Sequence, residues 1–234
     1  MDDLLSQTKD MRVAVYLIRC LVSSDGLTGV ENGLALLRGY VEGFWPEVHP
    51  MLDEEDDNDP TFRVNTLSIL CDQAGFLKDL QECPLVSSRV VGRFCLKDIL
   101  GAEEQEKSDS QSKQSGGGSN SEEENTKTSG PTLDVINAAF TDIETSILTE
   151  TAQSVRLSTE HVIAIEAAVT TQVGASRSLS MKPLERLFTQ MSEILQTQME
   201  RLGVHQQGPS VFEDEDQSID SLDGTKLSDQ GSSS

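Results

Sequence analysis

Residues Phe44–Leu67 read FWPEVHPMLDEEDDNDPTFRVNTL, and how this stretch divides decides the fold. An aromatic pair with Pro46 and Pro50 leads into six carboxylates within Asp53–Asp59, and an arginine-bearing apolar segment follows Pro60. Proline breaks a helix interior, so Pro46 ends whatever runs into it. Asp59 ahead of Pro60 is the cap-then-proline signature of a helix start. The stretch is therefore predicted to be a bend between two helices. Its carboxylates stay in water, where each favours the N-terminal dipole of the second helix by about 0.3–1 kcal/mol. A calcium-binding loop would need glycine at its sixth position and glutamate at its twelfth. Counted from Asp53, those places hold Asn58 and Val64, so no metal site is expected.

Upstream of the bend, Met11, Ala14, Val15, Ile18, Leu21 and Val22 recur at three- and four-residue steps until SSDG at Ser23–Gly26 stops them, which predicts an amphipathic helix. Thr28, with Glu31 three residues on, reads as the N-cap of a second helix, whose face carries Val30, Leu34, Leu37, Tyr40, Val41, Phe44 and Trp45. Its several glycines allow close helix packing. Downstream, Phe62, Leu67, Leu70, Phe76, Leu77 and Leu80 predict one third helix ending near Cys83-Pro84, and LVSSRVVGRFCLKDIL at 85–100 predicts a short extended or hairpin segment followed by a turn of helix. Seven of the ten aromatic residues lie in the first hundred positions, so the compact core is expected there.

Residues 101–130 hold no aliphatic or aromatic side chain larger than Ala102. Such a segment has nothing to bury against its ordering entropy, and a flexible linker is expected. The helical period returns at Leu133, Ile136, Phe140, Ile143 and Ile147, and again at Val162, Ile165, Val169 and Val173 before Gly174. A last stripe runs Leu184, Phe188, Met191, Leu195, Met199 and Leu202 after Pro183. Two helices joined near Gly174–Ser180 make an antiparallel hairpin, whose stripes pack on each other, on the first unit or on another copy of the chain. The fold class is thus all-α: a helical bundle at 1–100, an acidic linker at 101–130, a helical hairpin at 131–203 and a disordered acidic tail at 204–234.

Forty acidic residues against eighteen basic ones give a formal charge of −22. That repels nucleic acid and anionic bilayers and suits a protein or cationic partner. Half of the acids lie in the Asp53–Asp59 loop, in 101–130 and after Val204, so the charge belongs to connecting segments more than to a site. The four cysteines show no zinc-ligand spacing and read as reduced thiols of a cytosolic protein. His49, His161 and His205 are scattered, His161 on a polar helix position, and no hydrolase, nucleotide-binding or metalloprotease motif occurs. No catalytic residue, metal or cofactor is expected. Arg63 is expected to pair with the nearby carboxylates, the alternative being contact with a partner. Trp45 is expected in the core, the alternative being an exposed anchor.

In order along the chain stand Lys9-Asp10 ahead of the first helix, Gly26-Leu27, Gly33-Leu34, Trp45, His49-Pro50, the acid-rich run from Asp53 and then Arg63. This series resembles the ImpA N-terminal domain of the TssA proteins of type VI secretion. SSRVVGRFCLKDIL resembles the segment closing that domain, and AIEAAVTTQVGASRSLSMKPLERLFTQMSEIL its later helices, so the resemblance reaches from about residue 9 to 203. It implies a non-enzymatic cytoplasmic scaffold, peripheral to the inner-membrane secretion complex. Its partners would be baseplate, membrane-complex or tail sheath and tube proteins, with the hairpin serving either to position the chain or for self-association. Trp45, His49, Pro50, Asp53 and Arg63 become its motif or protein-interaction residues. The resemblance also implies a shortened form, since the family has a further stretch before the first helix and a ring-forming C-terminal region. A competing reading is an acidic adaptor or chaperone-like protein that grips one cationic partner through the acid loop and tail.

Overall fold

A computed structural model describes residues 8–114 and 130–204, with side chains to residue 110 in the first of these stretches. Helix α1 spans Met11–Ser24 and α2 spans Gly26–Gly43. Asp10 caps α1, its Oδ1 accepting the Arg12 backbone N–H at 2.8 Å, and Met11, Ala14, Val15, Ile18 and Val22 turn inward as their spacing requires. The two helices meet at a sharp corner where Gly26 takes φ +62°. A side chain there would be strained. That corner corrects the expected start of α2: the chain is already helical at Thr28, whose hydroxyl faces Ser154 at 3.3 Å instead of capping.

Gly33 lets the two helices approach. A Cβ at this position would lie 2.6 Å from Cγ1 of Ile18, whereas at exposed Gly39 nothing stands within 4 Å. Gly33→Val is therefore expected to lower the unfolding free energy by about 1–3 kcal/mol through overpacking. Gly39→Ala is expected to raise it by up to ~1 kcal/mol through helix propensity alone. Thermal melts of the two variants check both signs.

After the bend, α3 covers Thr61–Ser68 and tightens into a 3₁₀ turn at Ile69–Cys71, and α4 covers Phe76–Gln81. The single helix expected over this stretch is thus two. Asp72 makes the break: its Oδ1 accepts the Ala74 N–H at 3.1 Å, and its carbonyl accepts that of Leu77 at 3.1 Å. An aspartate offering its own acceptors competes with the helix ladder. The expected extended segment is a β-hairpin, β1 (Pro84–Ser88) paired antiparallel with β2 (Gly92–Cys95).

Helix α5 then runs Leu96–Gln114, so part of the expected linker is helical. Ala102 is its last buried side chain among the described residues. Beyond it, strong helix formers such as Glu103, Glu104, Gln105 and Lys107 carry the helix through water, with Lys107 Nζ 3.9 Å from the Glu103 carboxylate four residues back. The remainder of the linker and the tail beyond Val204 lie outside the described residues.

The second half comprises α6 (Leu133–Asp142), α7 (Thr145–Val173) and α8 (Lys182–Arg201). The stripe from Leu133 to Ile147 is interrupted, because Ile143 and Glu144 adopt extended backbone and Ile147 is half exposed. Helices α7 and α8 form the antiparallel hairpin, turning at Gly174 with φ +80° and closed by the Met181 N–H on Glu166 Oε2 at 2.7 Å. Of the packing arrangements left open by the sequence, α7 lies along α2 as well as along α8. Leu34, Leu37, Phe76, Ile165, Phe188 and Met191 belong to one continuous buried cluster. Ser88 Oγ donates to Asp142 at 2.6 Å, tying the β-hairpin to α6. Mostly helical is the fold class, with one small sheet.

Candidate functional site

The loop between α2 and α3 has no partner strand along most of its length, so its carbonyls need donors from elsewhere. Arg63, in the first turn of α3, supplies them. Its Nε donates to the Pro50 carbonyl at 2.7 Å, Nη1 to that of Trp45 at 2.5 Å and Nη2 to that of Val48 at 2.7 Å. The guanidinium also lies 4.7 Å from the centre of the Trp45 ring. Arg63 is fully buried, among the largest side chains with no exposure. Burial pushes its pKa below the usual arginine value, yet guanidinium stays protonated in proteins, and three carbonyl dipoles and a ring face replace its hydration.

This corrects the expected ion pair. Among the described residues Arg63 makes no salt bridge, and the six loop carboxylates make none either. Asp53, Glu54, Glu55, Asp56 and Asp57 are exposed and keep their hydration. The carbonyls of Trp45 and Val48 accept from Arg63 in the interior, and they take the donors. The carboxylates act as caps: Asp53 Oδ1 accepts the Glu55 N–H at 2.9 Å, and Asp59 Oδ1 accepts the Thr61 hydroxyl at 2.9 Å and its N–H at 3.3 Å. Asp57 and Asn58 both take φ +53°, which closes the turn.

A second tie holds the loop from below. The His49 N–H donates to the Lys9 carbonyl at 2.7 Å, and the Met11 N–H donates to the His49 carbonyl at 2.9 Å, a parallel bridge that leads directly into α1. The His49–Pro50 peptide is cis. Lys9 Nζ sits 4.3 Å over the Phe44 ring. Arg12 grips the capping residue, with Nη2 at 2.6 Å from Asp10 Oδ2 and Nε at 3.0 Å from Oδ1.

Those Arg12 hydrogen bonds hold the Asp10 carboxyl below the usual aspartate range, against the opposing effect of burial. A carboxylate whose pKa is lowered on folding stabilises the fold above its unfolded value, near pH 4, and ceases to do so as pH falls through its folded value. Asp10→Ala is expected to cost about 1 kcal/mol at pH 7. The difference from wild type in urea midpoint should shrink progressively as pH falls below about 4.

Of the five residues picked out by sequence, Trp45, Pro50 and Arg63 converge directly. Trp45 is buried, as expected of a core tryptophan. His49 joins through its backbone while its side chain is exposed, and Asp53 stands apart in the acid loop. Val48 was missed because it contributes only a carbonyl, for which no side-chain pattern exists. Phe62, expected inside, is 74% exposed, and its neighbour Arg63 takes the interior place. His161 is not on a polar face but lies 3.6 Å from Glu31 between α7 and α2.

Among the described residues no group of three or more His, Cys, Asp or Glu side chains is arranged to hold a metal. Burial pushes Cys71 and Cys83 up to about 11, and Cys95, which donates to Asp98 at 3.0 Å, is raised as well. Thiols of this kind are poor nucleophiles at neutral pH. No described helix is long and apolar enough to cross a membrane.

Within this fold, the segment that carries the locked loop points to a class: residues 1–72 match the model of the family described as "ImpA, N-terminal, type VI secretion system". That span contains the whole of the Arg63 lock. More particularly, the chain is similar to the type VI secretion system component TssA1 of Pseudomonas aeruginosa, at 33% identity over 192 residues. The match covers 82% of this chain and 50% of TssA1, so the chain spans about half the length of that curated relative. Its fold is that of the TssA N-terminal domain, including the conserved ImpA_N region, from Burkholderia cenocepacia. The TM-score is 0.68 at 21% identity, covering 85% of this chain and 74% of that one.

Proposed function

We propose that this protein is a non-enzymatic structural component of a bacterial type VI secretion machine. It works in the cytoplasm, docking on the baseplate, the membrane complex or the tail to assist assembly of the tube and sheath. The observation that carries this reading is the family match over residues 1–72, reinforced by similarity to TssA1 across most of the chain. The geometry supports a scaffold rather than a catalyst. Trp45, Pro50 and Arg63 are engaged in holding one loop, and three of the four thiols are held in the protonated state. In mechanism, the body formed by residues 1–100 carries the docking surface and the α7–α8 hairpin braces it.

The test is deletion of the gene in a secretion-competent cell, with a fluorescent sheath protein to count assembled tails. Deletion should reduce the number of assembled sheaths, and the full chain supplied in trans should restore it. An unchanged number of sheaths, together with a pull-down free of tail, baseplate and membrane-complex proteins, would remove the reading.

A further inference from the structure

We infer that the neck of the acid loop, where Met51 and Phe62 stand exposed beside the Arg63–Pro50 hydrogen bond, is a docking surface for a basic amphipathic segment of a partner protein. This rests on the proposed function and specifies the chemistry of one contact.

The juxtaposition follows from the lock. Met51 leaves Pro50 to enter the loop, and Phe62 precedes Arg63 where the chain returns. The 2.7 Å bond from Arg63 Nε to the Pro50 carbonyl ties the departing limb to the returning one. Met51 is 54% exposed and Phe62 74%. A single exposed apolar side chain needs no explanation. Two of them flanking a neck held by a buried arginine are contact area on a preorganised backbone, the arrangement that gives affinity with little ordering cost.

Charge selects the occupant. Between the two side chains the loop presents Asp53, Glu54, Glu55, Asp56, Asp57 and Asp59, none of them in an ion pair with a described residue. Apolar contact rimmed by carboxylates complements a segment that interleaves lysine or arginine with apolar residues. A nucleic acid or an anionic bilayer would be repelled. A second copy of this chain docking by the same face would bring one acid loop against another, which disfavours a symmetric dimer here.

The test uses the full chain in cells with an active secretion system, carrying a photo-crosslinking amino acid at position 62 or, as a control, at Ile163 on α7, which is also half exposed. Position 62, and not 163, should crosslink to a secretion-system protein through a segment that interleaves basic and apolar residues. A synthetic peptide of that segment should bind the purified chain. Phe62→Ser should weaken that binding about tenfold or more. Neutralising Asp53, Glu54, Glu55 and Asp56 as their amides should weaken it similarly and reduce its dependence on salt. Both sets of substitutions are exposed, and cooperative circular-dichroism melts with midpoints close to that of wild type confirm that the fold persists. The inference is overturned by crosslinks to a second copy of this chain, by crosslinks to an acidic or uncharged segment, by no crosslink at all, or by unaltered peptide binding. Its failure is separable from that of the proposed function. A deletion that abolishes sheath assembly, beside normal assembly in Phe62→Ser cells, would remove this surface and leave the assembly role standing.

Discussion

Replacing Arg63 by methionine is expected to lower the unfolding free energy by about 3–5 kcal/mol, read as a fall in urea midpoint. Three carbonyls, of Trp45, Val48 and Pro50, would lose their donor at once. A buried acceptor left unsatisfied costs about 1–3 kcal/mol, and partial admission of water relieves some of that sum. Arg63→Lys is expected to recover less than half of the loss. An ammonium keeps the charge but cannot direct donors at three separated carbonyls from one rigid plane. Asp53→Asn, on an exposed capping residue, is expected to change stability by no more than about 0.5–1 kcal/mol. The order of these three variants distinguishes a backbone lock from an ion pair with the acid loop, because an ion pair would make Arg63 and the loop acids comparable.

Ile165→Ala, in the middle of α7, is expected to cost about 2–4 kcal/mol and to be felt far away in sequence. Ile165 has no exposed surface and shares its buried cluster with Leu34 and Leu37 of α2 and with Phe76 of α4. The fluorescence of Trp45, the sole tryptophan, reports the first half of the chain. Its midpoint in urea should shift with Ile165→Ala by the same amount as the circular-dichroism midpoint, which is dominated by all the helices. Coincident transitions are the signature of one cooperative body. A tryptophan transition unmoved by the substitution would show that the α7–α8 hairpin unfolds on its own.

The helices of the first half were legible because burial imposes the 3.6-residue period directly on side-chain polarity. Met11, Ala14, Val15 and Ile18 could hardly have belonged to anything else. The bend was legible for a different reason, since Pro46, Asp59 and Pro60 constrain the backbone locally. What escaped sequence reasoning has a common cause. Phe62 and Arg63 differ by one helical position, about 100° of rotation, and polarity alone puts the phenylalanine inside. The arginine is inside because loop carbonyls thirteen to eighteen residues upstream need donors, a demand carried by the backbone and invisible in side-chain pattern. Likewise Thr28 has the chemistry of a cap, but the left-handed Gly26 starts the helix before it. The helix at Leu96–Gln114 persists into water on propensity and local charge pairing, where a criterion based on burial sees only linker. The conjunction of Trp45, Pro50 and Arg63 was available only as an ordered resemblance, and its physical meaning required three dimensions.

The most direct measurement is hydrogen exchange of the Arg63 side-chain Nε–H by nitrogen-15 NMR on the folded chain. A guanidinium enclosed by the carbonyls of Trp45, Val48 and Pro50 should exchange many times more slowly than Arg12, which is more than half exposed, and its protection should disappear only with global unfolding. Exchange of Arg63 as fast as that of Arg12 would contradict the lock, and with it the rigid neck on which the docking surface is built.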